Sequence, residues 1–438
     1  MKVLHLSTTD ISGGAARAAY RLHKGLQEIG VESYMLVQTR ISKDSSVLST
    51  KNLWNSLFYK FFTWIDTVIL SFYPQRDKVY FSLDLKHINL LRKIRQINPD
   101  IIVLNWVSGF MGINQLKKFH KPVLWIQHDM WAFTGGCHYN RDCIQFKTSC
   151  GNCPLLNSRL KNDLSSIEFK KKQKTYNRTK NLYIIALSSW MGNCVTESEL
   201  FKDKTTIHIP NGIETDIFHP RDKNAAREIF HLPADRKLIL FGASWATAEK
   251  RKGFDYLLKA LEFLKDGNCE LIVFGEAQND LSKELPCKIY FMGHLNDDVS
   301  LSQLYSAADV MVVPSIQENL SNAIMESMSC GTPVVAFGIG GNGDMIEHKK
   351  NGYLANPFDV KDLALGIQWV YEDDKRWETL SSEARLKVLR DYSCIKIAGE
   401  HLNLYQKILN GSVIKPNAQN IIKSSILDFP QRGSTDQL

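Results

Sequence analysis

Between Val310 and Ala336 the chain reads Val-Met-Val-Val-Pro-Ser-Ile-Gln-Glu-Asn-Leu-Ser-Asn-Ala-Ile-Met-Glu-Ser-Met-Ser-Cys-Gly-Thr-Pro-Val-Val-Ala. Few folds accommodate such a run. Val310 to Val313 is apolar at every position, as a strand must be when helices cover both faces of a parallel sheet. Pro314-Ser315 closes it. From Asn319 to Ser329 small and apolar residues recur at helical spacing, and Gly331 with Pro333 supplies the stop before Val334-Val335-Ala336 resumes a strand. A helix opening just past the carboxyl end of a parallel strand turns its unpaired N–H groups and positive dipole end toward that edge, which makes an anion site. Two acids punctuate the unit at E-x7-E spacing, Glu318 in the loop and Glu326 in the helix. One can face the reacting part of a ligand and the other a more distant part.

The same alternation of strand and helix runs through the rest of the chain. At 438 residues it exceeds what one core usually holds, so two domains are expected. Its 44% apolar and 23% charged residues place it among ordinary soluble globular proteins. Lys and Arg number 54 against 46 Asp and Glu. That mild excess suits anionic ligands or an anionic membrane surface, and it is too diffuse to argue for nucleic acid. Met1 to Ser7 forms a short strand without the apolar core of a signal peptide, so a cytoplasmic location is expected.

In the first half, a strand at Val3 to Ser7 leads through Gly13-Gly14 into a helix carrying Tyr20, Leu22, Leu26 and Ile29. The glycine pair lets backbone approach a ligand closely, although a plain strand-to-helix turn explains it as well. Strands at Ile101 to Leu104 and Val123 to Ile126 follow, the second ending in Gln127-His128-Asp129. His128 therefore sits where open parallel sheets bind ligands, with a packed core histidine as the alternative. Residues 53–73 hold Trp54, Phe58, Phe61, Phe62, Trp64, Val68 and Phe72 at helical spacing. They form either a buried core helix or an interfacial helix dipping into lipid. The basic run Lys170-Lys171-Lys172-Gln173-Lys174 is a solvated helix face or, beside the aromatic helix, a contact for anionic head groups.

Directly after His128 come Cys137, Cys143, Cys150 and Cys153, spaced C-x5-C-x6-C-x2-C. The last interval is a zinc-knuckle spacing, so this cluster reads as one structural zinc site, with His138 in reserve, or else as free thiols. Residues 135–156 would then form a lid over the site, and loss of the metal would leave binding in the other domain nearly intact. The remaining five cysteines read as small core residues.

In the second half, a buried strand at Leu238 to Phe241 precedes Lys250-Arg251-Lys252-Gly253, and another at Ile289 to Met292 ends in Gly293-His294. Cations in a strand-to-helix loop are what a diphosphate leaving group needs. Pro210-Asn211-Gly212 is turn chemistry and marks a domain boundary.

These residues together resemble the retaining glycosyltransferases of family 4, whose donor site carries P-S-x-x-E-x7-E-A-M-x-x-G-x-P-V-V. The chain departs by Ser327 where Ala is usual, by Asn319-Leu320-Ser321 where Gly-Phe-Gly is frequent, and by Ala243 where an Arg is expected. The resemblance implies a GT-B arrangement, an α/β fold of two doubly wound Rossmann-like domains facing a cleft. Residues 1–209 would form the acceptor-side domain, 210–393 the donor domain, 394–410 a helix returning to the first domain, and 411–438 a loose tail. It implies His128 and Glu318 at the donor sugar and Glu326 on the ribose. Gly13, Gly14, Asn319, Leu320, Ser321 and the backbone at Gly293 would line the donor site. Lys252, with Arg251 replacing the missing Arg, would hold the diphosphate, so that no catalytic metal is required. The expected partners are a UDP- or GDP-linked sugar and a glycan or lipid-linked acceptor in bacterial surface polysaccharide synthesis, with peripheral contact to the inner membrane face. The alternatives are a nucleotide-sugar epimerase or hydrolase on the same fold and a zinc-stabilised interaction protein with a decayed sugar site.

Overall fold

The computed structural model describes residues 1–50, 53–77, 80–85, 88–242, 249–264, 269–276, 287–295 and 297–412, without the side chains of residues 53–60 and 63. The loose tail, apart from its first two residues, and the departure at Ala243 lie outside the described residues.

Two parallel sheets organise the chain. The first contains β1 (Lys2–Thr9), β2 (Glu32–Thr39), β3 (Val47–Ser49), β4 (Ile101–Leu104), β5 (Val123–Gln127), β6 (Leu182–Ala186) and β7 (Thr206–His208), in the order β3-β2-β1-β4-β5-β6-β7. The second contains β8 (Lys237–Gly242), β9 (Cys269–Phe274), β10 (Ile289–Gly293), β11 (Val310–Val313), β12 (Val334–Phe337) and β13 (Gly352–Ala355), in the order β10-β9-β8-β11-β12-β13. Every pairing between these strands is parallel. Strand order reverses between β1 and β4 and again between β8 and β11, and at such switch points the carboxyl ends of the strands open a crevice. The fold is therefore α/β with two doubly wound units, as the sequence pattern requires.

The apolar runs explain the layers. All of β4, β11 and β12 is buried, because helices cover both faces. Each fully buried aliphatic side chain there contributes about 1.5–3 kcal/mol. The final helix, Cys394–Leu409, lies against helix Gly14–Glu28 of the first unit, so closely that a Cβ at Gly25 would stand 3.1 Å from the Cys394 carbonyl.

One local expectation shifts. The helix after β11 runs Asn322–Ser329 rather than from Asn319, because the Asn319 side chain is drawn into contacts with the first unit and Ser321, in extended conformation, becomes the N-cap. The loop holding Glu318 is backed by Gly340, whose φ is +52° and whose Cβ, if present, would lie 1.8 Å from the Glu318 carbonyl oxygen. We predict that Gly340→Ala lowers unfolding free energy by at least about 1–3 kcal/mol, from left-handed strain alone. Chemical denaturation checks this, and a loss below about 0.5 kcal/mol, the ordinary range for a surface change, would show that the position is permissive.

Candidate active site

Glu318 lies at the carboxyl end of β11, at the switch point of the second sheet. Its Oε2 accepts from Lys252 Nζ at 2.8 Å, from Arg251 Nη1 at 3.3 Å and from Ser315 Oγ at 3.3 Å. The two cations arrive on a short turn, Lys250–Lys252, which ends at Gly253. There φ is +76° and a Cβ would meet the Pro314 carbonyl oxygen at 1.9 Å, so only glycine brings this turn against the Glu318 loop. Ile316 N–H donates to the Arg251 carbonyl at 2.8 Å and closes the contact. Arg251 also holds Glu249 at 2.7 Å and the Gln317 carbonyl at 2.9 Å, and its guanidinium lies 4.2 Å from the ring centre of Tyr139. Burial opposes the Glu318 charge, but Lys252 and Arg251 outweigh it and hold the carboxyl down to about 2. The carboxylate is ionised at neutral pH.

Opposite stands His128, at the end of β5 in the first sheet. Its Nε2 is 3.2 Å from Asn105 Oδ1, so the ring is held with Nε2–H donating. Burial lowers its pKa to about 4 despite the adjacent Asp129, and the imidazole is neutral at pH 7. Asp129 accepts from His138 Nδ1 at 2.6 Å, from Trp106 Nε1 at 2.7 Å and from the Trp131 N–H at 2.9 Å. It anchors the loop rather than facing the cleft.

The two units are in direct contact around these groups. Asn319 Nδ2 donates to the carbonyls of Gln127 at 2.9 Å and His128 at 3.2 Å, while its Oδ1 accepts from Ser188 Oγ at 2.7 Å. Leu320 is buried in the core that spans both units. Asn322 Nδ2 donates to the Gly14 carbonyl at 3.0 Å. Gly13, with φ +87°, opens the turn before that helix, and Gly293 closes β10 with open space around it. Glu326 is 5% exposed and already paired. Its Oε1 lies 3.0 Å from Arg21 Nη2, and its Oε2 accepts from the Tyr305 hydroxyl at 3.0 Å. Arg21 also holds Glu214 at 2.7 Å and approaches Asp298 at 3.9 Å, while Arg17 holds Asp298 at 2.6 Å. Burial works against the Arg21 charge, but Glu326, Glu214 and Asp298 more than offset it and raise its pKa above the usual value.

Residues 12–217 match the model of Glycosyltransferase Family 4, and residues 236–373 match that of Glycosyl transferases group 1. The chain belongs to the family 4 glycosyltransferases. An uncharacterized glycosyltransferase of Methanocaldococcus jannaschii is 33% identical over 180 residues, covering 39% of this chain and 45% of the relative. A D-inositol 3-phosphate glycosyltransferase of Xylanimonas cellulosilytica is 33% identical over 201 residues, covering 42% and 47%. The chain thus spans about half the length of the curated relatives it matches. In fold it is similar to sucrose-phosphate synthase from Thermosynechococcus elongatus, with a TM-score of 0.66 at 19% identity over 94% of this chain and 100% of that one. It is also similar to Anabaena HepE solved with UDP and glucose, with a TM-score of 0.66 at 18% identity over 93% and 99%. These are GT-B glycosyltransferases, and the two-sheet architecture described above is that fold.

Within this family 4 chain, several residues that the sequence left unremarked complete the site. Arg21 and Arg17 stand one turn apart on helix Gly14–Glu28, and two arginines four residues apart on one helix face were the available signal. Tyr139, Asn105 and Gln317 carried none. Two readings need correction. The basic run is not uniformly solvated: Lys172 is fully buried, donating to the carbonyls of Trp131 and Thr134, and Lys171 pairs with Asp84 at 2.9 Å. His138 is not a spare metal ligand, since Asp129 and Ser82 occupy its two nitrogens. The helix Leu53–Ser71 is also no simple core helix over its described side chains. Phe61, Trp64 and Phe72 are 54%, 62% and 78% exposed, whereas Leu70 packs on the cysteine segment. Among the described residues no helix is long and apolar enough to cross a membrane.

Two outcomes follow from the protonation states. The C2 proton of His128, followed by NMR, should titrate with a midpoint near 4, and a midpoint near the ordinary value of 6.5 would place the ring in solvent. Because the folded pKa of Glu318 is depressed from 4.5 to about 2, its stabilisation is complete above pH 4.5 and is lost as pH falls through about 2. Glu318→Gln should therefore cost on the order of 3 kcal/mol at pH 7, and the gap to wild type in urea unfolding should narrow as pH drops below 4.5.

Proposed function

We propose that this chain transfers a sugar from a nucleotide-diphospho-sugar, UDP- or GDP-linked, to a glycan or lipid-linked acceptor, with retention at the anomeric carbon, in bacterial surface polysaccharide synthesis. The carrying observation is the meeting of Glu318, Lys252 and Arg251 at the carboxyl end of β11, with Asn319 tying that loop to His128 at the end of β5. Binding of UDP and glucose by the structural neighbour from Anabaena supports the donor class. In this reading the diphosphate displaces Glu318 from Lys252 and Arg251, and the released carboxylate takes hydroxyls of the donor sugar. Charge on the diphosphate grows as its bond to the sugar breaks, so fixed cations stabilise the transition state more than the ground state. Neutral His128, with its Nε2–H held by Asn105, leaves Nδ1 to accept a hydrogen bond from a sugar hydroxyl without placing a second charge beside the sugar. Glu326 would exchange Arg21 for the ribose hydroxyls. Glu326 is buried against the other unit and the Glu318 loop is tied to it through Gln317 and Asn319, so the donor enters only when the two units part. These cations do what a catalytic metal would do elsewhere, and the reading requires none.

A thermal-stability screen of UDP- and GDP-sugars tests the donor class, since a ligand at 100 times its Kd adds ~2.7 kcal/mol. With the donor identified, Lys252→Ala should lower kcat more than it weakens donor affinity, and an equal loss in both would remove Lys252 from the leaving-group role. Glu326→Ala should weaken donor binding by about 1.5–3 kcal/mol, the cost of one charged hydrogen bond. Unchanged affinity would end the ribose assignment. Consumption of donor without acceptor would favour the epimerase or hydrolase reading, and NMR of the product anomer decides retention.

The exposed face of helix Leu53–Ser71 supports a membrane-surface acceptor. Phe61, Trp64 and Val68 are exposed at helical spacing, Phe72 is exposed just past the helix end, and Lys170 and Lys174 lie exposed on helix Leu164–Tyr176. Flotation with anionic vesicles should show salt-sensitive binding that Trp64→Ser with Phe72→Ser abolishes. Folded wild-type protein that stays in the pellet at low salt would remove the membrane from the proposal.

A further inference from the structure

The cysteine segment follows β5 and is built almost without regular structure. Between Gly135 and Asp163 it contains only two short turns, Gln145–Lys147 and Pro154–Leu156. It nevertheless folds back so that Cys137, Cys143, Cys150 and Cys153 all line one small cavity of about 20 Å³, with Phe81, Gly135, Gln145, Leu155 and Ser165 as its other walls. Four thiols far apart in register meet in one place. The C-x2-C turn has the backbone such a site needs, with Gly151 at φ +145° and Asn152 at φ +45° carrying the chain sharply between Cys150 and Cys153. Gly135 is itself fixed by this packing, since a Cβ there would come within 2.9 Å of the Cys150 Cβ.

The walls are apolar: Leu70, Phe81, Leu83, Leu155 and Leu156 close around Cys137 and Cys153. Among the described residues no three His, Cys, Asp or Glu side chains stand in a finished ligand arrangement, so an ion would have to draw the sulfurs inward. Softness selects the ion: four sulfurs in a cavity lined by no carboxylate, with Gln145 and Ser165 as its oxygen-bearing side chains, suit zinc in tetrahedral geometry with no open position for chemistry.

What the segment supports is the active site itself. Residues 138–141 lie between the first two cysteines. Tyr139 stacks under Arg251 at 4.2 Å, Asn140 Oδ1 accepts from Gln317 Nε2 at 2.7 Å, and the Arg141 N–H donates to Gln317 Oε1 at 3.1 Å. We propose that Cys137, Cys143, Cys150 and Cys153 bind one structural zinc ion, and that this ion fixes residues 138–141 as the buttress of Arg251 and Gln317. The lid expected from the sequence to serve the acceptor side alone would then also set the position of the cation assigned to the diphosphate.

The proposal is independent of the glycosyltransferase reading, because its test needs no substrate. Full-length protein purified without chelator is assayed for metals, and zinc X-ray absorption is recorded on the same sample. The expected result is one zinc per chain with four sulfur neighbours at about 2.3 Å. Cobalt exchanged into the site should give the charge-transfer and ligand-field bands of a tetrahedral tetrathiolate. Cys150→Ser with Cys153→Ser should lose the metal, whereas Cys194→Ser, outside the cluster, should keep it. In hydrogen exchange on wild-type protein, chelation should raise the rates of residues 138–141 and 317 severalfold while β8 and β12 stay protected. Well under one zinc per chain, iron in its place, or disulfides among the four cysteines would overturn the site. Zinc present with unchanged exchange at residues 138–141 would overturn the buttress. The wild-type measurements stand even where the double variant fails to fold.

Discussion

The structure depends on the compensation of charge buried between its two units. Glu318 and Glu326 are less than one-tenth exposed, as is Arg21. An ionised group taken out of water costs several kcal/mol unless partners replace its solvation. Here the partners come from distant parts of the chain: Lys252 and Arg251 for Glu318, and Arg21 for Glu326. The Glu326 pairing needs both units built and facing each other, whereas Glu318 finds its cations within the second unit. The site is thereby coupled to the packing of the units, and an anionic ligand can enter by trading one set of partners for another.

That trade gives the arrangement its directionality. Lys252 and Arg251 are held by a glycine turn and a backbone bond to Ile316, so they stay in place whichever anion they face. Glu318 sits on a loop whose neighbours Gln317 and Asn319 reach across to the first unit. Opening the units would break those reaches and leave the cation pair intact. A cation pair held within one unit, beside a carboxylate whose loop is tied to the other, links the anion site to the contact between the units.

The segment after β5 shows how an irregular insertion reaches a regular site. Asp129 gathers His138, Trp106 and the Trp131 N–H, which pins the start of the insertion to the sheet. Lys172, buried on helix Leu164–Tyr176, caps the carbonyls of Trp131 and Thr134 and lies 4.1 Å from the Trp131 ring centre. With its two ends held in this way, the intervening residues can present Tyr139 to Arg251. Helix Leu53–Ser71 uses the same segment as its seat, and so turns its aromatic stripe outward.

The fold was legible because its signals are local. Apolar runs such as Val310–Val313 report burial on both faces, Gly331 and Pro333 stop a helix chemically, and strand alternating with helix leaves few topologies. The placement of Glu318, Lys252 and His128 at strand ends followed from the same periodicity. The partners of those residues did not. Whether Lys172 faces solvent or a carbonyl cage, whether Glu326 stands free or against Arg21, and whether Phe61 and Trp64 point inward or out depend on elements far apart in the chain. So does the start of the helix at Asn322, since Asn319 commits its side-chain amide to the carbonyls of Gln127 and His128. Local pattern fixes period and termination; the energy of a buried charge or an exposed ring is set by whatever the tertiary fold brings against it.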